Sequence, residues 1–357
     1  MAGGLDRPVD FAFLPDGRIL LAEHAGVVRV YDHGRLAKAP FLDIRRRVNN
    51  ALDRGLIAIA ADPHFARNGL VYLYYAHEND PAHPNGRKTM RLTRVRTGGD
   101  RAVPATEHVV LGGIPADCRC HVGGDIAFGR DGSIFLSTGD AASAGRANDR
   151  ALRAQDLGSL AGKVLRIGAN GQGLRTNPFW NGDPSANRSR VWALGLRNAF
   201  RFVLRDGVPY VGDVGWRRWE EVDVARRGRN FGWPCYEGPF RQPVYGARAP
   251  CRALFRSGRR ISPPLYAYRR ARGGAVTGGA FASAMSFPPS LRGAYFFGDF
   301  VRGWIQYLRI TPRGVSGPKA FVRRAAGPAA IDFGPDGSLY YLAFETGELR
   351  RVRYVGR

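Results

Sequence analysis

The chain has little lysine and few acidic residues for its number of arginines. Its only lysines are Lys38, Lys88, Lys163 and Lys319, and 54 basic residues against 30 acidic ones give a formal net charge of +24. Such a charge raises the question of a nucleic-acid partner. The arginines are scattered singly or in short runs, however, and neither a long basic tract nor a nucleic-acid-binding motif is present. We therefore predict an arginine-rich solvated surface or an anion-attracting face, and no nucleic-acid partner.

The sequence also lacks a long apolar run. No stretch reaches the roughly 18 apolar residues that a membrane-spanning helix needs, so we predict no membrane span. The opening residues, MAGGLDRPVD, lack the basic start and apolar stretch of a signal peptide. The N-terminal sequence thus leaves two locations open: inside the cell, or outside it after removal of a leader.

Cysteine is scarce, with four residues in the chain. Cys235 and Cys251 enclose a loop rich in Gly, Pro and Arg, which a disulfide would clamp. We expect that bridge, and it favours an exported protein. Cys118 and Cys120 are separated by a single residue, so a bridge between them would close a tight ring. The sequence leaves the state of this second pair open.

Helical periodicity is almost absent, apart from a turn or two around residues 150–162. Short alternating strands dominate, and one unit recurs: an apolar strand, a tight turn that is usually Asp-Gly, and a second apolar strand. The unit is found at residues 11–34, 57–76, 126–140, 200–215 and 331–354. This recurrence predicts the blades of an all-β propeller rather than a β-sandwich. The first and last segments both look like blade strands, which makes the two ends candidates for one shared blade.

The segment CRCHVGGDIAFG, residues 118–129, contains the most informative histidine. Two cysteines one residue apart, without a complementary pair, do not match the spacing of a zinc site. His121 lies just ahead of a strand, and Gly123 and Gly124 keep side-chain bulk away from it. We predict that it faces a pocket at the end of a sheet, where an imidazole can accept a proton near neutral pH. The alternative is a hydrogen-bonded loop histidine.

Two further segments carry candidate ligands. Arg197 and Asn198 interrupt an apolar stretch, and together they can grip the oxygens of a small polar ligand or cofactor. Alternatively, Arg197 pairs with an acidic residue downstream. Residues 212–238 gather several carboxylates around a glycine-rich turn, which are the oxygen ligands that calcium requires, although their spacing is not that of an EF-hand.

Taken together, six stretches resemble the soluble quinoprotein sugar dehydrogenases of the glucose/sorbosone dehydrogenase family, whose domain also occurs in the Hedgehog-interacting protein. They are residues 53–75, 121–140, 154–167, 191–202, 212–238 and 275–303. They follow the family's order across nearly the whole chain, so we treat residues 1–357 as one domain. The resemblance implies a six-bladed β-propeller of four-stranded antiparallel blades.

The resemblance also implies an activity: oxidation of aldose sugars, or of related alcohols and aldehydes, that depends on pyrroloquinoline quinone (PQQ) and calcium. His121 matches the general base that takes the sugar hydroxyl proton while a hydride passes to the quinone. Arg197 and Asn198 match the pair that holds the quinone oxygens, and Arg197 would also stabilise the charge that develops on reduction. Asp53 stands near the cofactor, where active members have Gln or Glu.

The predicted calcium ligands also come from this resemblance. Gly215 and Trp216 align with residues whose backbone carbonyls bind the calcium beneath the quinone. Glu220 and Glu221 align with the acidic pair of a second calcium site.

The chain departs from the family where the cofactor's carboxylates are anchored. Val301 stands at the position of a lysine, and Gly327 and Ala329 at those of an arginine pair. Because buried carboxylates need cationic partners, we take Arg302 as the replacement, with Arg323 and Arg324 as further candidates. Cys120 also stands where the well-known members have Asp.

The missing anchors support an alternative function, in which a non-catalytic propeller binds a glycan or a protein partner on the same face. For the enzyme, the expected partners are a small sugar substrate and an electron acceptor. We expect a periplasmic or extracellular location, with the cytoplasm left open, and a monomer or homodimer.

Overall fold

A computed structural model describes residues 1–270, 273–282 and 287–356 of the protein. Its strands form six antiparallel sheets of three to five strands, which are the blades of a β-propeller in chain order, and one separate two-stranded hairpin. The predicted all-β, six-bladed fold is therefore confirmed. None of the helices in these three ranges is long and apolar enough to cross a membrane.

The first three blades take up the N-terminal half of the chain. Blade 1 contains β1 (Pro8–Phe13), β2 (Ile19–Glu23), β3 (Val27–Asp32), β4 (Arg35–Leu36) and β5 (Leu42–Asp43). Blade 2 contains β6 (Leu56–Ala61), β7 (Leu70–His77), β8 (Lys88–Gly98), β9 (Arg101–Ala102) and β10 (His108–Ala116). Blade 3 contains β11 (Ile126–Phe128), β12 (Ile134–Thr138), β13 (Lys163–Ile167) and β14 (Val191–Leu194).

The other three blades follow, with one insertion in blade 4. Blade 4 contains β15 (Ala199–Arg205), β16 (Val208–Asp213), β17 (Trp219–Val224) and, after the hairpin β18 (Tyr236–Glu237) and β19 (Phe240–Arg241), β20 (Tyr266–Arg269). Blade 5 contains β21 (Val276–Phe281), β22 (Tyr295–Asp299), β23 (Trp304–Thr311) and β24 (Gly314–Val322). Blade 6 contains β25 (Pro328–Phe333), β26 (Leu339–Ala343) and β27 (Glu348–Val352).

Short helices lie in the connections. The α-helices are α1 (Phe65–Asn68), α2 (Asn187–Arg190), α3 (Pro243–Gly246) and α4 (Ala249–Arg256), and the 3-10 helices are Arg45–Arg47, Pro104–Thr106, Asp149–Gln155 and Pro289–Leu291. The helix at Asp149–Gln155 agrees with the turn or two expected around residues 150–162.

The Asp-Gly dipeptides make the tight turns within the blades. In the β11–β12 turn, Gly132 has a φ of 78°, and in the β25–β26 turn Gly337 has a φ of 68°. Glycine adopts this left-handed region without the steric cost that a Cβ brings. The aspartate carboxylates at positions 131 and 336 accept hydrogen bonds from the backbone N–H groups of Ser133 and Ser338. The local sequence therefore encodes each hairpin.

The two ends of the chain meet in blade 6. The N–H of Leu349 in β27 donates to the carbonyl of Ala2 at 2.9 Å, and the N–H of Leu5 donates to the carbonyl of Gly347 at 3.1 Å. The N-terminal segment thus runs along the outer strand of the last blade. This contact closes the ring, as the similarity of the two end segments suggested.

Arg201 lies at the centre of the propeller and is almost completely buried. Its guanidinium donates hydrogen bonds of 2.6 to 3.2 Å to carbonyl oxygens in or beside the inner strands of blades 1, 2, 3 and 6, namely those of Val9, Ile57, Gly124 and Ala329. The carboxylates of Asp10 and Asp125 each lie 3.7 Å from it. One side chain of blade 4 therefore joins four other blades at the axis and separates two cavities.

Candidate active site

A cavity of about 330 Å³ lies on one side of Arg201 and receives side chains from several blades. Its polar lining consists of Arg7, His24, Asp53, His121, Arg197, Asn198, Arg270 and Thr277, and Trp216, Phe300 and Phe344 add aromatic surface. On the other side of Arg201, a cavity of about 310 Å³ is lined by Asp10, Asp125 and Asp332. The ring therefore brings most of the predicted site residues together in the first cavity, although they are far apart in sequence.

His121 is held between a carboxylate and a guanidinium. Its Nδ1 lies 3.0 Å from Oδ1 of Asp140, and Nη2 of Arg197 donates to its Nε2 at 2.7 Å. Because a guanidinium can only donate, Nε2 must be the acceptor and Nδ1 must carry the proton that Asp140 accepts. The imidazole is therefore neutral, with its lone pair on the nitrogen next to Arg197.

The backbone of His121 is in the left-handed region, with a φ of 54°, which is costly for a residue with a Cβ. Surrounding hydrogen bonds hold it there: its N–H donates to Oδ2 of Asp53 at 3.0 Å, and its carbonyl accepts from Ala141 at 3.1 Å. Gly139 is required beside it, since a Cβ at that position would lie 2.0 Å from the His121 carbonyl oxygen. The structure thus holds this histidine in a conformation that a free loop would leave.

Burial and the nearby Arg197 charge lower the pKa of His121, and they outweigh the opposing effect of Asp140. Burial alone would raise the pKa of the Asp140 carboxyl, but His121 and Arg197 together hold it below its usual range. A neutral base beside an ionised carboxylate is the arrangement that accepts a proton and stabilises the resulting imidazolium.

Asp140 is fixed from its other side by an aromatic cluster. The Nε1–H of Trp233 donates to its Oδ2 at 2.8 Å, and the N–H of Ala142 donates to its Oδ1 at 2.8 Å. The ring of Trp233 packs 6.0 Å from that of Trp216 and 5.6 Å from that of Tyr245. The cluster lies against the Cys235–Cys251 disulfide, which is present as expected. The insertion in blade 4 therefore supports the carboxylate that orients His121.

The second pair, Cys118 and Cys120, is also bridged. Arg119 lies inside this small ring, and its carbonyl accepts a hydrogen bond from the backbone N–H of Asp53 at 2.9 Å. The Asp53 carboxylate in turn accepts from the backbone of His121. The bridge is therefore connected to the histidine both along the chain and through Asp53.

The guanidinium of Arg197 is oriented by blade 4. Its Nη1 donates to the carbonyls of Val214 at 2.8 Å and Gly215 at 2.6 Å, and the backbone N–H groups of Arg197 and Asn198 donate to Asp213. Within the part of the chain that the structure describes, its Nε is buried without a hydrogen-bond partner, as is Oγ1 of Thr277 on the same cavity. A buried donor without a partner is costly. A ligand with acceptor atoms would therefore be stabilised at the side of the cavity that Arg197 and Thr277 form.

Three of the four predicted calcium ligands, all except Trp216, are engaged by other groups. The carbonyl of Gly215 accepts from Arg197 and also from Nη1 of Arg270 at 2.9 Å, and Glu220 forms an ion pair with Arg270. Glu221 accepts from the N–H of Gly238. Across the described ranges, no group of three or more His, Cys, Asp or Glu side chains is arranged to hold a metal. As they stand, the Gly215 carbonyl and the Glu220 carboxylate do not fit a calcium ion.

Arg302, the predicted carboxylate anchor, lies outside the cavity lining. Its Nε and Nη2 donate to the carbonyls of Gly273 and Arg269, at 3.0 and 2.6 Å. Its backbone N–H donates to Asp299. The side chain is therefore held by the Gly273 and Arg269 carbonyls, and Arg7 and Arg270, which the sequence did not single out, line the cavity instead.

Fold and site together define a six-bladed β-propeller with a cationic ligand cavity and a buried histidine–carboxylate pair at its wall. The family model described as Glucose / Sorbosone dehydrogenase matches residues 5–351, and the chain belongs to that family. Aldose sugar dehydrogenase YliI of Escherichia coli (strain K12) is 25% identical over 363 residues, which cover 98% of this chain and 90% of that protein. The Hedgehog-interacting protein of Mus musculus is 28% identical over 220 residues, 56% of this chain and 30% of that protein.

Solved structures share the fold of this chain. A putative oxidoreductase (glucose dehydrogenase) from Thermus thermophilus is 28% identical and superposes with a TM-score of 0.78, covering 99% of this chain and 98% of that one. The PQQ-bound form of an aldose sugar dehydrogenase from Streptomyces coelicolor, 22% identical, has a TM-score of 0.74 over 98% of this chain and 92% of that one, and shows the shared fold.

Proposed function

We propose that the protein is a PQQ-dependent dehydrogenase that oxidises aldose sugars, or related alcohols and aldehydes, in the cavity beside His121. The observation that carries the proposal is the geometry of His121: a buried, neutral imidazole whose Nδ1 is bonded to Asp140 and whose Nε2 faces Arg197. Family membership and the named sugar dehydrogenases among the relatives support the substrate class. The PQQ-bound neighbour supports the choice of cofactor.

The residues of the cavity fit PQQ, which carries three carboxylates. Arg7, Arg197 and Arg270 offer three guanidinium groups, and charge-assisted hydrogen bonds to carboxylates are among the strongest that side chains make. The unpartnered Nε of Arg197 and Oγ1 of Thr277 add donors. These arginines take the place of the anchors missing at positions 301, 327 and 329. Asp53, Asn198 and Trp216, which the sequence suggested as ligands, line the same cavity, whereas Arg302 does not and is left out of the proposed cofactor site.

PQQ, when bound, supplies the acceptor for the hydride that leaves the sugar carbon. The protein's own contribution is to the proton. The Nε2 atom of His121 accepts the proton of the reacting hydroxyl once the Arg197 guanidinium turns toward the ligand. Asp140 then stabilises the imidazolium through Nδ1, and Arg197 offsets negative charge on the ligand.

The test is reconstitution of the purified protein with PQQ, followed by dye reduction over a panel of aldoses. We expect a quinone absorbance that stays with the protein and sugar-dependent turnover. His121→Ala should bind PQQ and lose turnover, whereas His83→Ala, which changes an exposed histidine paired with Asp80, should keep it. Absence of both bound quinone and turnover would refute the proposal, and turnover that survives His121→Ala would remove the proposed base.

A second candidate function is that of a non-catalytic propeller that binds a glycan or protein on the same face. The similarity to the Hedgehog-interacting protein favours it, as does Leu52, which is 66% exposed at the rim of the cavity. Saturable binding of a glycan that Leu52→Ser abolishes, in a protein that does not retain PQQ, would decide for this function. The two disulfides support a periplasmic or extracellular location for either candidate.

A further inference from the structure

We propose that the guanidinium of Arg270 takes the place of a calcium ion at the Gly215 carbonyl, so that the cavity binds its ligand without this metal. The proposal rests on the proposed function for the identity of that ligand. Exclusion of the metal, however, depends only on the protein's own donor atoms.

Arg270 is placed by the edge of blade 4. It directly follows β20, and its backbone N–H donates to the carbonyl of Arg218 at 2.9 Å. From there its side chain, 24% exposed, turns into the cavity. Its Nη1 donates to the Gly215 carbonyl at 2.9 Å and also contacts Oε1 of Glu220. One guanidinium thus bridges a predicted ligand of each of the two calcium sites that the family resemblance implied.

The Gly215 carbonyl has no free acceptor position in this arrangement. Its oxygen accepts from Nη1 of Arg197 at 2.6 Å as well as from Arg270, and a carbonyl oxygen has two lone pairs. An ion bound there would have to displace one guanidinium and remain next to the other. Since calcium binds through oxygen ligands that are free to face it, the two arginines and the ion exclude each other.

Glu220 is satisfied in the same way. Its side chain is fully buried, and Oε2 accepts from the N–H groups of Val276 at 3.0 Å and Gly215 at 3.3 Å, while Oε1 faces Arg270. The charge of this carboxylate is thereby balanced by the guanidinium. Removal of Arg270 would leave a buried carboxylate beside a carbonyl that still accepts from Arg197 but has one free acceptor position, which is a partial calcium site.

Arg270 also presents its charge to the ligand, because it lines the cavity together with Arg197 and His121. A guanidinium stays protonated over the whole working pH range and binds carboxylates through two N–H groups. It therefore supplies a fixed positive charge, as a calcium ion would, without depending on the calcium concentration.

The first test is calorimetric titration of calcium into the EGTA-treated protein, without PQQ, for the unchanged chain, Arg270→Ala and Arg270→Lys. We expect Arg270→Ala to bind one more calcium ion per chain than the unchanged protein, and Arg270→Lys to bind none beyond it. Calcium held elsewhere, for example at the buried carboxyls of Glu221 and Asp223, is common to all three and cancels in the difference. If Arg270→Ala does not fold, Arg270→Met, which keeps much of the length of the side chain but has no N–H donor for Gly215, takes its place.

The second test is titration of PQQ, followed by quenching of tryptophan fluorescence, in EGTA and in calcium. The unchanged protein should bind PQQ equally well in both. Arg270→Ala should bind it roughly 10- to 100-fold more weakly in EGTA, the usual effect of losing a charged hydrogen bond, and should recover in calcium. Equal calcium stoichiometry in all chains, or loss of PQQ binding by the unchanged protein in EGTA, would overturn the proposal. Failure to bind PQQ under either condition refutes the proposed function instead, and the calorimetry still decides about the metal.

Discussion

Nη2 of Arg197 lies 2.7 Å from Nε2 of His121, so a permanent positive charge adjoins the atom that is proposed to take the proton. With burial, this charge lowers the pKa of His121. A lowered pKa keeps the imidazole neutral, and therefore active, at lower pH. We expect the acid limb of the kcat/KM profile to fall below pH 6.5, the ordinary histidine value.

Replacement of Arg197 tests the same contact. Arg197→Met should raise the pKa of His121, which an NMR titration of the imidazole measures without any cofactor, and should lower kcat/KM by roughly 100-fold or more. Arg217→Met removes an equal charge from an exposed guanidinium that stacks on Trp216 at 4.2 Å, and should leave the midpoint unchanged. If the His121 imidazole titrated with the same midpoint in both variants, the Arg197 charge would not be what lowers its pKa.

The Asp140 carboxylate orients His121 and determines which nitrogen carries the proton. Asp140→Asn should lower kcat by roughly 10²- to 10⁴-fold, as in other histidine–carboxylate pairs. Loss of the negative charge should also move the acid limb to still lower pH, because Asp140 raises the pKa of His121. Trp233→Phe removes one hydrogen bond to the same carboxylate and should cost only about tenfold. Rate measurements across pH give both kcat and the position of the acid limb. A larger loss of kcat in Trp233→Phe than in Asp140→Asn would contradict the proposed role of Asp140.

The two disulfides should differ in what they stabilise. Cys235 and Cys251 close a loop with a sequence separation of 16, so replacing both by Ser should lower the free energy of unfolding by about 3 kcal/mol. Cys118 and Cys120 close a ring with a separation of 2, which restricts the unfolded chain far less. Their replacement should leave unfolding nearly unchanged while lowering kcat, by up to about 100-fold if His121 shifts. Denaturant titration and turnover on both double variants separate the two effects.

The cavity beyond Arg201 predicts a pH-dependent stability. Burial raises the pKa of Asp125 to about 7, against the opposing effect of Arg201. The folded protein therefore holds a proton that the unfolded chain releases near pH 4, so the free energy of unfolding should fall as the pH rises from about 4 through 7. Asp125→Asn should make this slope shallower between about pH 4 and 7. Asp100→Asn, at a carboxylate whose side chain is 95% exposed, is the control and should keep it.

Arg201 itself should be a determinant of stability. Arg201→Met leaves four carbonyl oxygens at the axis without their donor and two buried aspartates without their cation. We expect a loss of about 3–5 kcal/mol in the free energy of unfolding. Arg205→Met, at the exposed end of the same strand, should change it by less than about 1 kcal/mol. Similar losses in the two variants would show that the axial contacts contribute little.

The fold was predictable because each blade is encoded locally. An apolar strand, an Asp-Gly turn and a second strand occupy residues 126–140, and the structure has β11 and β12 there. His121, Arg197 and Asn198 were found as a group only through the family resemblance, since no local pattern places residues of blades 3 and 4 at one cavity. The sequence does contain a pattern that marks Asp140. A Gly-Asp dipeptide ends or directly follows the second strand of blades 3, 4 and 5, with its aspartate at positions 140, 213 and 299.

Arg7 and Arg270 had no such signal. Arg7 precedes the first strand and Arg270 follows the last strand of blade 4, so they reach one cavity only because the ring closes. Among many scattered arginines, nothing in the sequence sets these two apart. Arg302 did have a sequence argument, because it stands next to Val301 at the position of the missing lysine. In the structure, however, the carbonyls of Gly273 and Arg269 hold its guanidinium outside the cavity. Side-chain direction at strand ends depends on such partners, which only the folded ring supplies.

The central position of Arg201 has a consequence for the order of events in catalysis. Its guanidinium holds the carbonyls of Val9, Ile57 and Ala329, and these three residues also line the cavity beside His121, so this side of the cavity is closed. Under the proposed function, the sugar and the electron acceptor would both have to approach from the side away from Arg201. The oxidised product would then leave before the acceptor approaches, and each molecule at high concentration should inhibit entry of the other.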